Sequence, residues 1–148
     1  MRRIQFVLAV MFLGCIWASA TPFTAFAAPP LLCLPPHRLS VLNLGMIPDP
    51  VRQGQRIQLW TVKLRSDWNG ECVTFLEVRD RNQIAGKKVQ YLIKPGEGRY
   101  ALPAEPSYFF QGRDSCFTVY VNVTNTWAPV AAARTFCAQL GPGGWSLR

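Results

Sequence analysis

Between Ser115 and Val123 the chain alternates. Phe117, Val119, Val121 and Val123 fall on one side of an extended strand, and Cys116, Thr118, Tyr120 and Asn122 on the other. A period of two marks a half-buried β-strand, because successive side chains point to opposite faces. A second strand, Ala131 to Gln139, follows a short loop containing Pro129. Pairing the two as a hairpin centred near Thr126 and Trp127 sets Cys116 opposite Cys137 and Phe117 opposite Phe136. One register thus aligns a cysteine pair and an aromatic pair.

The chain opens with Met1-Arg2-Arg3, an apolar run from Ile4 to Trp17, and then Ala18-Ser19-Ala20 and Ala25-Phe26-Ala27. A basic start, an apolar stretch and small residues at cleavage positions describe a secretory signal peptide over residues 1–27, with cleavage expected after Ala20 or Ala27. The apolar run is shorter than the roughly 20 residues that span a bilayer, so the mature chain is expected to have no transmembrane anchor. Leu13-Gly14-Cys15 partly resembles a lipobox, which leaves lipoprotein anchoring at Cys15 as a competing reading. Phe12, and an apolar run that continues through Ile16 and Trp17, speak against it. The expected location is periplasmic or extracellular.

Removing the leader leaves about 120 residues, enough for one domain. Of 16 Lys and Arg, Arg2 and Arg3 belong to the leader, leaving 14 basic residues against 8 acidic ones. The charges are scattered, with no polybasic tract and no nucleic-acid motif, so solvated strand faces are favoured over nucleic-acid binding. Attraction to anionic envelope polymers stays open.

Cys33, Cys72, Cys116 and Cys137 remain after the leader, an even number in an oxidising compartment. The hairpin register argues for Cys116 with Cys137, which leaves Cys33 with Cys72. If the first three strands run up, down and up, the first and third start at the same end and bring that second pair together. Each closed loop would contribute roughly 3–4 kcal/mol in the chain-entropy model. Cys33 and His37 form a C-x3-H fragment, but no C-x2-C unit accompanies it, so neither zinc nor any cofactor is expected.

Residues 28–39 are proline-rich and extended, residues 40–140 carry the strands, and residues 141–148 form a Gly/Pro-rich tail expected to fray. Within the domain, Ser40 to Met46 places Leu42, Leu44 and Met46 on the face expected to be buried. Pro48 and Pro50 then mark an edge or bend. Arg56 to Leu64 changes apolar parity between Leu59 and Trp60, which a bulge or burial on both faces would explain. Further strands are expected at Glu71 to Arg79, Gln83 to Ile93 and Arg99 to Pro103, before a crossing segment, Glu105 to Asp114. Short strands separated by Gly, Pro, Asn and Asp turns, with no amphipathic helix, predict an all-β fold. The expected architecture is a single immunoglobulin-like or fibronectin-III-like antiparallel β-sandwich of about seven strands.

Asp49-Pro50-Val51-Arg52-Gln53-Gly54-Gln55-Arg56-Ile57, the Trp68-Asn69-Gly70 loop, Ile93-Lys94-Pro95-Gly96-Glu97 and the strand from Phe117 to Val123 follow one another in a recognisable order. The order resembles that of bacterial immunoglobulin-like modules of the cell-adhesion-related (CARDB) type. In those modules a Pro-Val-x-x-Gly lead-in, an Asn/Gly loop and an apolar-x-Pro-Gly turn recur. The resemblance spans most of Val41 to Gln139 and implies a non-catalytic interaction module. This domain departs from the pattern in standing alone and carrying four cysteines.

Catalytic machinery is hard to assemble from these residues. His37, the only histidine, lies in a proline-braced segment with no nucleophile elbow to complete a triad. Asp67, Glu71, Glu77, Glu97, Glu105 and Asp114 sit in turns or on polar strand faces, where solvated carboxylates are the norm. Asn122-Val123-Thr124 matches a glycosylation sequon and is read as strand geometry alone. The expected function is therefore non-enzymatic: a monomeric envelope module that binds a protein or glycan, or alternatively an accessory subunit or inhibitor of another envelope protein. The expected site is one end of the sandwich. There the loop Arg65 to Gly70, the turn Lys94 to Gly98 and the loop Thr124 to Val130 would gather Trp68 and Trp127, with Arg65, Asp67, Asn69, Lys94 and Asn125 around them. The competing reading packs both tryptophans as core caps.

Overall fold

The computed structural model describes residues 31–33, 38–124 and 130–148. The expected leader, His37, Asn125 and Trp127 lie outside these residues. Eight strands follow in order: β1 (Leu39–Ile47), β2 (Leu59–Ser66), β3 (Cys72–Asp80), β4 (Gln83–Ile93), β5 (Gly96–Pro103), β6 (Cys116–Asn122), β7 (Val130–Gly141) and β8 (Gly144–Leu147). They form two antiparallel sheets, ordered β1-β2-β5 and β4-β3-β6-β7-β8. The fold is an all-β sandwich. Because β4 joins β3 rather than β5, the layout is that of fibronectin-III sandwiches, extended at one edge by β8.

The alternating strand between Ser115 and Val123 sits at the centre of the larger sheet, with Cys116 paired to Cys137 and Phe117 to Phe136. Disulfides join Cys116 to Cys137 and Cys33 to Cys72. The first lies on the outer face of the sandwich. The second is buried and ties the N-terminal segment to the start of β3, where Cys33 N donates to Val73 O at 3.0 Å and Val73 N to Leu31 O at 2.7 Å.

Between the sheets, Trp60 is fully buried with Phe117 at 4.7 Å between ring centroids, and Tyr108 and Phe110 close around Phe117 at 6.0 and 6.2 Å. The indole nitrogen of Trp60 donates to Ala85 O at 2.8 Å, so the largest core side chain also satisfies its one polar atom. The crossing segment before β6 alternates in the same way: Tyr108 and Phe110 point inward while Phe109 is exposed.

Three local expectations change. Leu42 is only half-buried, because a bulge between Val41 and Asn43 switches the inward face of β1 from Leu39 and Val41 to Leu44 and Met46. The Arg134 guanidinium reaches across from β7 and donates to the carbonyls of Val41 and Leu42, each at 3.1 Å. The parity change near Trp60 needs no bulge. Ile57 is buried in the lead-in, and the strand itself begins at Leu59 and turns Trp60, Val62 and Leu64 inward. The tail is not frayed: Gly144–Leu147 pairs with β7, and Trp145 exchanges backbone hydrogen bonds with Val51 at 2.8 and 2.9 Å.

Candidate functional site

Register decides which loops share an end. Ser66 at the close of β2 pairs with Gly96 at the start of β5, Cys72 pairs with Ile93, and Asn122 with Val130. The loop after β2, the turn between β4 and β5, and the connection from β6 to β7 therefore leave the sandwich at one end. Arg65, Asp67, Trp68, Asn69 and Lys94 are gathered there and are all exposed.

These side chains divide by task. Arg65 and Lys63 share the Glu97 carboxylate, with Nη2 to Oε1 and Nζ to Oε2 both at 2.6 Å. Hydrogen bonds from Lys63 and Arg65 hold the Glu97 carboxyl down from its ordinary 4.5 to about 2. Asp67 accepts from Arg38 N at 2.8 Å while its own amide donates to Arg38 O at 3.2 Å. Arg65 and Asp67 thus brace the loop. Trp68, Asn69 and Lys94 are presented. Trp68 is 37% exposed where Trp60 is 0%. Its indole lies against Gly70, where an added Cβ would fall 3.0 Å from the ring nitrogen. A bound indole of this kind offers large contact area at little entropic cost.

The opposite end holds a feature the sequence did not disclose. A hollow of about 500 Å³ lies between the Asp80–Gln83 turn and the Gln111–Ser115 stretch. At its base the Tyr108 hydroxyl donates to Asp80 Oδ2 at 2.7 Å. Burial, then the Asp80 carboxylate, push the Tyr108 hydroxyl far above the usual phenol range; Ser115 beside it works weakly the other way. The Ser115 hydroxyl is itself buried, close against the Tyr108 hydroxyl. Nothing in spacing links residues 80–83 to residues 111–115. The antiparallel pairing of β3 with β6, which sets Asp80 opposite Phe117, brings them together.

Among the described residues no group of three or more His, Cys, Asp or Glu is placed to hold a metal ion, and no helix is long and apolar enough to cross a membrane. Glu77 is buried in an ion pair with Arg79 at 2.8 Å. Asn122 of the sequon is fully buried, which keeps its side chain away from a transferase. Comparison with known proteins finds no family model, curated protein or solved structure that matches the chain.

Proposed function

We propose that this chain is an exported, non-enzymatic binding module of the bacterial cell envelope, a single domain that captures a protein or glycan through the loops at the Trp68 end. The observation that carries the reading is the contrast between the two tryptophans. Trp60 fills the core, whereas Trp68 stands partly in solvent on a loop held by the Asp67–Arg38 clasp and the Arg65–Glu97–Lys63 cluster. A rigid loop presenting an amphipathic ring loses little freedom on binding, which is the economy that binding hot spots exploit. The two disulfides fit an oxidising compartment. The turn pattern shared with cell-adhesion-related modules points the same way.

The test sets the purified oxidised protein against an array of bacterial surface glycans and, separately, against solubilised envelope proteins. Retention of a defined glycan or of one protein by wild type, and its loss with Trp68→Ala, supports the reading. Turnover of an envelope polymer by the pure protein, or retention indifferent to Trp68, refutes it.

A further inference from the structure

We propose that the hollow at the β3–β4 turn is a carbohydrate site that takes a terminal sugar or a short oligosaccharide. It lies at the end of the sandwich opposite Trp68 and is independent of the reading above. Its volume of about 500 Å³ falls within the range of small-ligand sites, roughly 300–1,000 Å³.

The chemistry of the wall selects the ligand class. Asp80 and Asp114 face the hollow together with Arg81 and Arg113, so its carboxylates and guanidiniums balance. A simple anion would meet the two carboxylates, and a simple cation the two guanidiniums. A sugar hydroxyl both donates and accepts, and vicinal hydroxyls match the paired atoms of carboxylate, guanidinium and the amides of Asn82, Gln83 and Gln111. With no aromatic ring in the wall, recognition would rest on hydroxyls rather than on stacking.

Two observations show that the wall is not already satisfied by the fold. The ion pairs Lys63–Glu97, Arg65–Glu97 and Arg79–Glu77 leave out Arg81, Arg113 and Asp114. The backbone also departs from its preferred regions here. Among the described residues, only Arg81 at φ 55° and Asp114 at φ 65° have positive φ without being glycine, and both line the hollow. Arg81 is the first of two residues between the paired Asp80 and Gln83, a place where glycine would be at ease. An arginine kept there against its backbone preference is explained by what its guanidinium does.

The test is an amide NMR titration of the oxidised protein with glucose, galactose, N-acetylglucosamine and their disaccharides. Each is taken to about 50 mM, where even a millimolar site saturates. At least one saccharide is expected to shift the amides of Arg81, Asn82 and Arg113 to Ser115 while leaving Trp68 to Gly70 in place. Arg81→Gly is expected to melt no lower than wild type and to bind that saccharide about tenfold more weakly, the loss of one charge-assisted hydrogen bond. Trp68→Ala is expected to bind it unchanged. The proposal is overturned if no saccharide moves those amides, or if glycine or inorganic phosphate moves them instead. It is equally overturned if Arg81→Gly binds as wild type does or melts below it.

Discussion

Gly86 is small because Trp60 is large. A Cβ on Gly86 would fall 2.8 Å from Trp60 Cδ1 and 3.1 Å from Val78 Cβ, both inside the core. Gly86→Ala should therefore lower stability by about 1–3 kcal/mol through overpacking, read as a fall in denaturant midpoint at unchanged slope. The alternation of Trp60, Val62 and Leu64 was legible from spacing, but the matching gap was not. It belongs to another strand, and only the facing of the two sheets relates them. Glu97 gives a prediction in pH. Its folded pKa is depressed to about 2 from 4.5, so the stabilisation is full above about pH 4.5 and is lost as pH falls from there through about 2. Thermal melts across that window should show wild type losing more stability than Glu97→Gln. Added salt should narrow the difference, because the cluster is exposed and screened.

At the scale of the strand, legibility followed the strength of the periodic signal. The β6–β7 hairpin could be registered residue by residue because a cysteine pair and an aromatic pair agreed on one alignment. β8 could not, because Gly141-Pro142-Gly143-Gly144 has the composition of a loose tail and the partners that order it, β7 and Val51, are distant in sequence or hidden by it. The bulge in β1 was equally invisible, since its carbonyls are answered by Arg134 more than ninety residues later. Gly144 is where the β8 account is most exposed to test. At φ 140° it occupies a region that side chains avoid, and an added Cβ would lie 2.8 Å from Val51 O. Gly144→Ala should cost about 1–3 kcal/mol and raise hydrogen exchange at Trp145 and Val51. A variant as stable and as protected as wild type would mean that β8 is not seated as described.

For the whole molecule, the two-sheet frame and both disulfides place two different surfaces at its two ends, joined by a core that neither uses. Replacing Cys33 and Cys72 by alanine should cost about 2–5 kcal/mol, because the lost link is buried and closes a loop of 39 residues. The sequence led to the Trp68 end because loops following short strands could be counted off to one side. The far hollow escaped because it forms where the end of β3 meets the start of β6, two strands distant in sequence whose pairing no local pattern announces. That the Trp68 end is a binding surface rather than a core cap is tested most directly by paired melts and capture assays on Trp68→Ala and Trp60→Ala. Trp60→Ala is expected to lose about 3–5 kcal/mol, as a core tryptophan does. If that end binds, Trp68→Ala loses about 1 kcal/mol or less and no longer retains the glycan or protein that wild type holds. A Trp68→Ala protein destabilised as much as Trp60→Ala, whose folded fraction still captures that ligand, would contradict it.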